Sequence, residues 1–254
     1  MQNKLSVVLA VYNEEKNLAA CLNSVKDLAS EIVIVEGGST DGTLDIAKDF
    51  GAKIIQTDNP LNFHINKNKA IDKATGDWVL QLDADEIVSE ELADEIKKVI
   101  NSSSEIAGYW IKRKNFFLGR FLKKGGQYPD YTLRLYKRGY GRLPAKDVHE
   151  QAEVKGQVGY LKYDLLHLRD KTFSIYIEGF DRYTNLLASQ LEDKKQPVNF
   201  FSFLNYVFLK PMFWFMKAYI RHKGFMDGFT GFVFALFSSF RFPVSFFKYM
   251  IKNK

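Results

Sequence analysis

The stretch WVLQLDADEIVSEEL, residues 78–92, sets Asp83, Asp85 and Glu86 within four positions at the end of an apolar, strand-like run. Like charges this close are costly unless something positive neutralises them. Side chains alternate along extended backbone, so Asp83 and Asp85 point one way and Ala84 the other. Two carboxylates so placed, with no basic residue within several positions, suit a hard divalent cation such as Mg²⁺ or Mn²⁺. Such ions fill their remaining positions with water and phosphate oxygens. The same acids could instead serve a helix N-terminus, since DEIVSEEL is also an acid-first helix start. The residues alone leave both readings open.

The elements that must position these acids alternate in type. LSVVLAV (5–11), EIVIVE (31–36), AKIIQT (52–57) and DWVLQLD (77–83) read as strands. Between them EEKNLAACLNSVKDL (14–28), STDGTLDIAKDFG (39–51) and INKNKAIDKATG (65–76) read as helices, two of them stopped by glycine. Strands joined by helices of this length imply an α/β fold with a parallel sheet covered on both faces. Ligands of such sheets bind beyond the carboxyl ends of the strands. Three of those ends are polar: Asn13-Glu14-Glu15, Glu36-Gly37-Gly38-Ser39 and Asp83-Ala84-Asp85. They should converge on one crevice.

From about residue 106 the texture changes to longer strands with glycine turns, in AGYWIKRKNFFLG, YTLRLYKR and AEVKGQVGYLKYDLLHL, which extend the sheet. Residues 172–195 read as an amphipathic helix with Phe173, Tyr176, Ile177, Phe180, Tyr183, Leu187 and Leu191 on one stripe. Arg134 and Lys137 are an odd number of steps apart, so they face opposite sides. Arg134 is then the better candidate for contact with phosphate or acceptor. His167, in LLHLRD, could complete a metal site or touch a diphosphate, although a histidine after apolar residues is commonly a core residue with a satisfied partner.

The net charge of +6 conceals a division. Residues 198–254 hold eight Lys/Arg, one acid (Asp227) and 15 of the 22 phenylalanines, while the preceding residues are nearly neutral. The expected arrangement is a domain over 1–196, in halves of about 1–100 and 101–196, and a basic aromatic tail over 197–254. No stretch of the tail reaches the roughly 20 uncharged apolar residues of a bilayer-crossing helix. Basic residues punctuating aromatic faces fit helices lying on an anionic membrane. The same phenylalanines could pack as a helical subdomain, form a homodimer interface, or dip into the bilayer over 225–240. Nucleic acid is disfavoured, because the tail lacks the Lys/Arg density and fold signatures of such binders. One cysteine, Cys21, precludes an intrachain disulfide and fits a reducing compartment. The apolar run before Asn13 is short for a signal peptide, so a cytoplasmic location is expected.

The series VVLAVYNEEKNL, VIVEGGSTDGT and NKAIDKATGDWVLQLDADE resembles, in order and spacing, the nucleotide-sugar domain of the inverting glycosyltransferases of family 2. The resemblance covers about residues 4–100 and implies the GT-A fold, with a mixed, mainly parallel sheet. It also implies a divalent metal held on the diphosphate of a nucleotide sugar, with Asp85 the main ligand and Asp83 approaching the ribose or the metal. Contacts to the nucleotide sugar are then implied at Ala10, Tyr12, Asn13, Glu15, Glu36, Ser39, Lys67, Asn68, Asp83 and Ala84. Two positions depart from the pattern: Ala10 stands for the usual Pro, and Glu36 for the usual Asp. No Gly-x-Gly-x-x-Gly follows the first strand, which argues against a dinucleotide oxidoreductase.

Inversion is a single displacement, so the base stands across the sugar from the metal. The later segment offers Asp130 in QYPDYTLRLYKR and Glu150 in AKDVHEQ. YPDYTLRLYKR … VHE resembles the family branch of lipopolysaccharide core glucosyltransferases acting on inner-core heptose, and that resemblance assigns the base to Glu150, with Asp130 the runner-up. His149 either orients Glu150, meets the acceptor, or is a plain loop histidine. GFMDGFTGF resembles the tail of the same branch. The implied activity is inverting transfer of a sugar, glucose by this resemblance, from a UDP-sugar to a lipid-anchored saccharide at the inner face of the bacterial inner membrane. A polyprenyl-phosphate acceptor, and a non-catalytic membrane-binding nucleotide module, are the alternatives.

Overall fold

The computed structural model describes residues 3–60, 62–144 and 151–252. Its residues form two compact units, one of 1–113 with 131–167 and one of 114–130 with 168–254. Strands β1 (Leu5–Val11), β2 (Glu31–Glu36), β3 (Lys53–Gln56) and β4 (Trp78–Gln81) lie parallel in the order β3-β2-β1-β4. These strands carry continuous apolar runs because both sheet faces are covered. One core contains Leu5, Val7 and Leu9 with Leu18 and Leu22, and the other contains Val8, Val33 and Val35 with Ala70 and Ile71. Beyond β4 the sheet continues through β8 (Asp130–Lys137), β6 (Gly108–Phe117) and β11 (Val158–Asp170) to the short β5 (Glu86–Val88). The β4–β8 and β11–β5 pairs are antiparallel, so the sheet is mixed. Strand β7 (Arg120–Phe121) pairs with β6, and β9 (Gly141–Arg142) with β10 (Glu153–Val154).

The helices of the first unit are shorter than the sequence spacing predicts. α1 spans Leu18–Asn23 rather than 14–28, α2 spans Thr43–Asp49 and α3 spans His64–Lys73. Residues 13–15 are withheld from helix because their polar groups bond across to the next loop. DEIVSEEL does not open a helix at its first acids. It forms β5, and α4 (Glu90–Ile100) starts afterwards, with the Ser89 Oγ accepting the Leu92 N–H at 3.2 Å and Glu90 and Glu91 in the first turn.

In the second unit α5 runs Phe173–Asp193, within two residues of the range predicted from its apolar spacing. The buried seam is Tyr176, Thr184, Ala188 and Leu191, while Phe173 is half exposed. Small residues at 184 and 188 form the covered face, and Lys248 Nζ donates to Thr184 Oγ1 at 2.8 Å and Asp181 Oδ1 at 2.6 Å. The join expected at Pro197 therefore lies inside this unit. The tail is helical through α6 (Phe200–Leu204), a π-turn, α7 (Lys210–Phe215) and a second π-turn to Arg221. Pro211 does not break it. The wide turn before Pro211 accommodates a residue with no N–H to donate. α8 (Gly228–Lys252) likewise runs through Pro243. Consequently Gly224–Lys252 forms a 29-residue helical run whose most apolar 18 residues have a mean hydropathy of 1.3, enough by length and composition to cross a membrane, although Arg241 keeps any uncharged stretch shorter than 20 residues.

Candidate active site

The carboxyl ends of β1 and β2 stand side by side, with Val11 paired to Glu36. The loops that follow are stitched together. Asn13, at φ 53°, takes the left-handed conformation that asparagine tolerates. Its N–H donates to Ser39 Oγ at 2.9 Å, and its Oδ1 accepts the Thr40 N–H at 2.8 Å. Glu15 Oε2 accepts the Gly42 N–H at 3.0 Å, and the Glu14 N–H donates to Thr43 Oγ1 at 2.7 Å. Glu36 is 1% exposed and turns back to accept the Ser39 N–H at 2.5 Å. A Cβ on Gly37 would stand 3.2 Å from the Asn59 Cβ, so the chain is drawn tight at this turn. Tyr12 leaves its ring half exposed beside these loops, and Ala10 is partly covered.

The acidic turn follows β4. In this turn Leu82 and Ala84 are buried, while Asp83 and Asp85 are partly buried. The positive charge missing from the local sequence arrives from elsewhere. Lys67 on α3 pairs with Asp83 Oδ1, and Arg134 on β8 donates from Nη2 to Asp83 Oδ2 at 2.5 Å. The same Nη2 reaches Glu86 Oε1 at 2.7 Å, and Arg113 Nη1 stands 3.6 Å from that oxygen. Glu86 is wholly buried, and its Oε2 accepts the Asp83 N–H at 2.9 Å, which fixes the turn. With its carboxamide oxygen turned to the cations, Gln81 accepts from Lys67 Nζ at 3.3 Å and from Arg134.

Burial opposes ionisation of Asp83, but Arg134 and Lys67 outweigh it and hold the carboxyl well below the usual range. Burial likewise pushes Lys67 down, with Asp83 acting against it, and in Arg134 the pull of Asp83 and Glu86 exceeds the effect of burial. Glu14 is raised, first by burial and then by repulsion from Asp85, Asp83 and Asp41, even though Asn17 bonds to it. The crevice thus concentrates negative charge on the side of Asp85.

Asp85 meets His167. Antiparallel pairing of β11 with β5 sets His167 opposite Glu86, which brings His167 Nε2 to 3.3 Å from Asp85 Oδ2. A carboxylate oxygen and an imidazole nitrogen at this separation fit adjacent positions around one octahedral ion, whose donors lie about 3 Å apart. Among the described residues no group of three or more His, Cys, Asp or Glu side chains is placed to hold a metal. Both oxygens of Asp83 already face cations.

The other expected residues separate by position. Asn68 spends its amide on backbone, with Nδ2 donating to Leu143 O at 2.9 Å and Oδ1 accepting the Leu143 N–H at 3.1 Å. Arg134 is buried in the acidic turn, and Lys137 donates to Ser104 O at 3.2 Å on another face. Asp130 begins β8 and belongs to the second unit, where its Oδ2 accepts from Asn115 Nδ2 at 3.2 Å. His149 and Glu150 lie outside the described residues. Glu86, Gln81, Arg113 and Glu14 are site residues that the sequence reading did not assign. Glu86 left a signal as a third acid ending a buried strand run, and Glu14 as part of the polar end of the first strand.

A mixed sheet whose parallel half ends in stitched polar loops and a clamped Asp-x-Asp turn is the GT-A architecture. The chain belongs to glycosyl transferase family 2, whose model matches residues 6–149. It is 29% identical over 253 residues to the lipopolysaccharide core biosynthesis glycosyltransferase LpsC of Rhizobium meliloti, covering 92% of this chain and 90% of that one. The fold is similar to that of the mannosyltransferase PcManGT from Pyrobaculum calidifontis, solved with GDP-Man and Mn²⁺. That match has a TM-score of 0.54 and 12% identity, and covers 100% of this chain and 89% of that one. The S. aureus TarS 1–349 structure matches with a TM-score of 0.50 at 18% identity, over 92% of this chain and 81% of that one.

Proposed function

We propose that this glycosyltransferase moves a sugar, glucose by its branch resemblance, with inversion from a UDP-sugar to an inner-core heptose of lipopolysaccharide or lipooligosaccharide. The observation that carries the reading is the division of labour at the acidic turn: Asp83 is neutralised by Lys67 and Arg134, while Asp85 is paired with His167. Membership of family 2 and the likeness to LpsC support the class of acceptor.

Asp85 and His167 would hold a divalent ion, Mg²⁺ or Mn²⁺. When bound, it supplies compensation for the charge that develops on the departing diphosphate. The chain's own residues do the rest. Glu86 and Arg134 hold the turn so that Asp83 faces the donor with its charge fixed. The stitched loops carrying Tyr12, Asn13, Glu15, Glu36 and Ser39 form the wall for the nucleoside. Glu150, next to His149, takes the proton of the acceptor hydroxyl, with Asp130 the second candidate. Residues 198–254 attach the enzyme peripherally to the anionic inner face of the inner membrane, where a lipid-anchored acceptor is presented. α8 packs its buried Ala235, Ser239, Phe246 and Tyr249 within its own unit, which favours attachment over a span.

The test is a donor screen with UDP-glucose, UDP-galactose and their N-acetyl forms against a heptose-bearing core acceptor, with and without Mn²⁺ or Mg²⁺. Metal-dependent transfer from one UDP-sugar is expected. Full turnover in the presence of chelator would refute the role of Asp85 and His167, and turnover by Glu150→Gln would move the base to Asp130.

A further inference from the structure

The second unit carries a feature outside the strand-end site. Two segments, 118–126 around β7 and 221–229 leading into α8 and called the joined loops below, are tied by Asp227, the single acid after residue 197. Asp227 is 2% exposed. Its carboxylate accepts the Lys123 N–H at 3.1 and 3.2 Å and the Lys124 N–H at 2.8 Å. Arg120 Nη1 donates to the Asp227 carbonyl at 3.1 Å, and the Gly125 N–H donates to His222 O at 3.0 Å. A Cβ on Gly224 would stand 2.8 Å from Ala218 O, so this junction is closely packed.

Two consequences follow for the surface. The one acid of the tail is consumed inside, by backbone N–H groups, so it neutralises no side chain outside. Lys123, Lys124, Arg221 and Lys223 are meanwhile exposed at the joined loops. Beside them Phe225 and Met226 are half exposed and Phe229 is 80% exposed. Large apolar side chains left in water next to unopposed cations complement a surface that is apolar within and anionic at its boundary.

We infer that the joined loops 118–126 and 221–229 form one docking element for an anionic lipid bilayer, with Phe225, Met226 and Phe229 entering the acyl boundary and the four cations meeting lipid phosphate. This rests on the peripheral attachment proposed above and extends it to Lys123 and Lys124, which lie far outside the tail in sequence. Asp227 acts as the internal brace that presents both loops together.

The experiment is co-sedimentation of the full chain with vesicles of phosphatidylcholine alone or mixed with phosphatidylglycerol, with Lys97→Glu as a charge control. Binding selective for phosphatidylglycerol is expected, weakened about 25-fold or more by Lys123→Glu/Lys124→Glu, at about fivefold for each of the two positive charges removed. Phe229→Ser should weaken it comparably with unfolding midpoints unchanged. Binding equal to wild type in both variants overturns the docking element and leaves attachment by the rest of the tail standing. Absence of vesicle binding by the wild-type chain overturns both. If Phe229→Ser instead turns a dimer into a monomer in sedimentation velocity, with vesicle binding intact, the face belongs to a second copy of the chain and the inference fails.

Discussion

Arg134 donates from Nη2 to Glu86 at 2.7 Å, and Glu86 is wholly shielded from water. Removing one partner of a buried pair leaves the other charged and uncompensated, which costs about 3–5 kcal/mol. Arg134→Ala is therefore expected to lower unfolding stability by that amount in urea denaturation. Glu86→Gln keeps an acceptor for the Asp83 N–H and should cost less. Equal, small losses in both would show that the pair is not structural.

Asp83 and Asp85 should fail differently. Asp85→Asn is expected to weaken Mn²⁺ binding and to lower turnover about 10²-fold or more, with little loss of stability. Asp83→Asn removes the partner of Lys67 and Arg134, so its first effect should be a lower unfolding midpoint. Calorimetric Mn²⁺ titration alongside thermal melts separates the two.

Asn68 makes two hydrogen bonds to the backbone of Leu143 inside the protein. Asn68→Ala should cost about 1–3 kcal/mol, because the Leu143 N–H and carbonyl are left without partners. Donor affinity measured on the folded fraction should be unchanged. A lost donor affinity with normal stability would make Asn68 a ligand contact instead.

Glu31 gives a pH signature remote from the site. Burial would raise its carboxyl, but Ser6, Thr75 and Gly76 donate to it and the net shift is downward. A depressed carboxyl adds stability above the unfolded value of about 4.3, and the addition is lost as pH falls through the lower folded value. Wild type should exceed Glu31→Gln by about 1 kcal/mol at neutral pH, a figure reduced for its partial exposure, and the two should converge in acid. Denaturation curves across pH 2–7 (about the range in which carboxyls titrate) check this.

Local rules made much of this legible. The apolar runs marked β1 and β2 at their observed bounds, and the helical spacing after Thr172 marked α5. What local rules could not supply was the counter-charge. Arg134 lies 51 residues from Asp83, and nothing in the neighbourhood of either residue announces the other. The acids accordingly read as unassisted, whereas Asp83 has resident cations. The shortening of α1 has the same origin, since Glu14 and Glu15 bond to a loop that folds beside them only in three dimensions.

The pairing of β11 with β5 has a bearing on synthesis. His167 joins Asp85 only once the chain has been made through its eleventh strand, although the loops expected to meet the nucleoside are complete long before. A nascent chain halted ahead of that strand could assemble the loops after β1 and β2 but not the Asp85–His167 pair.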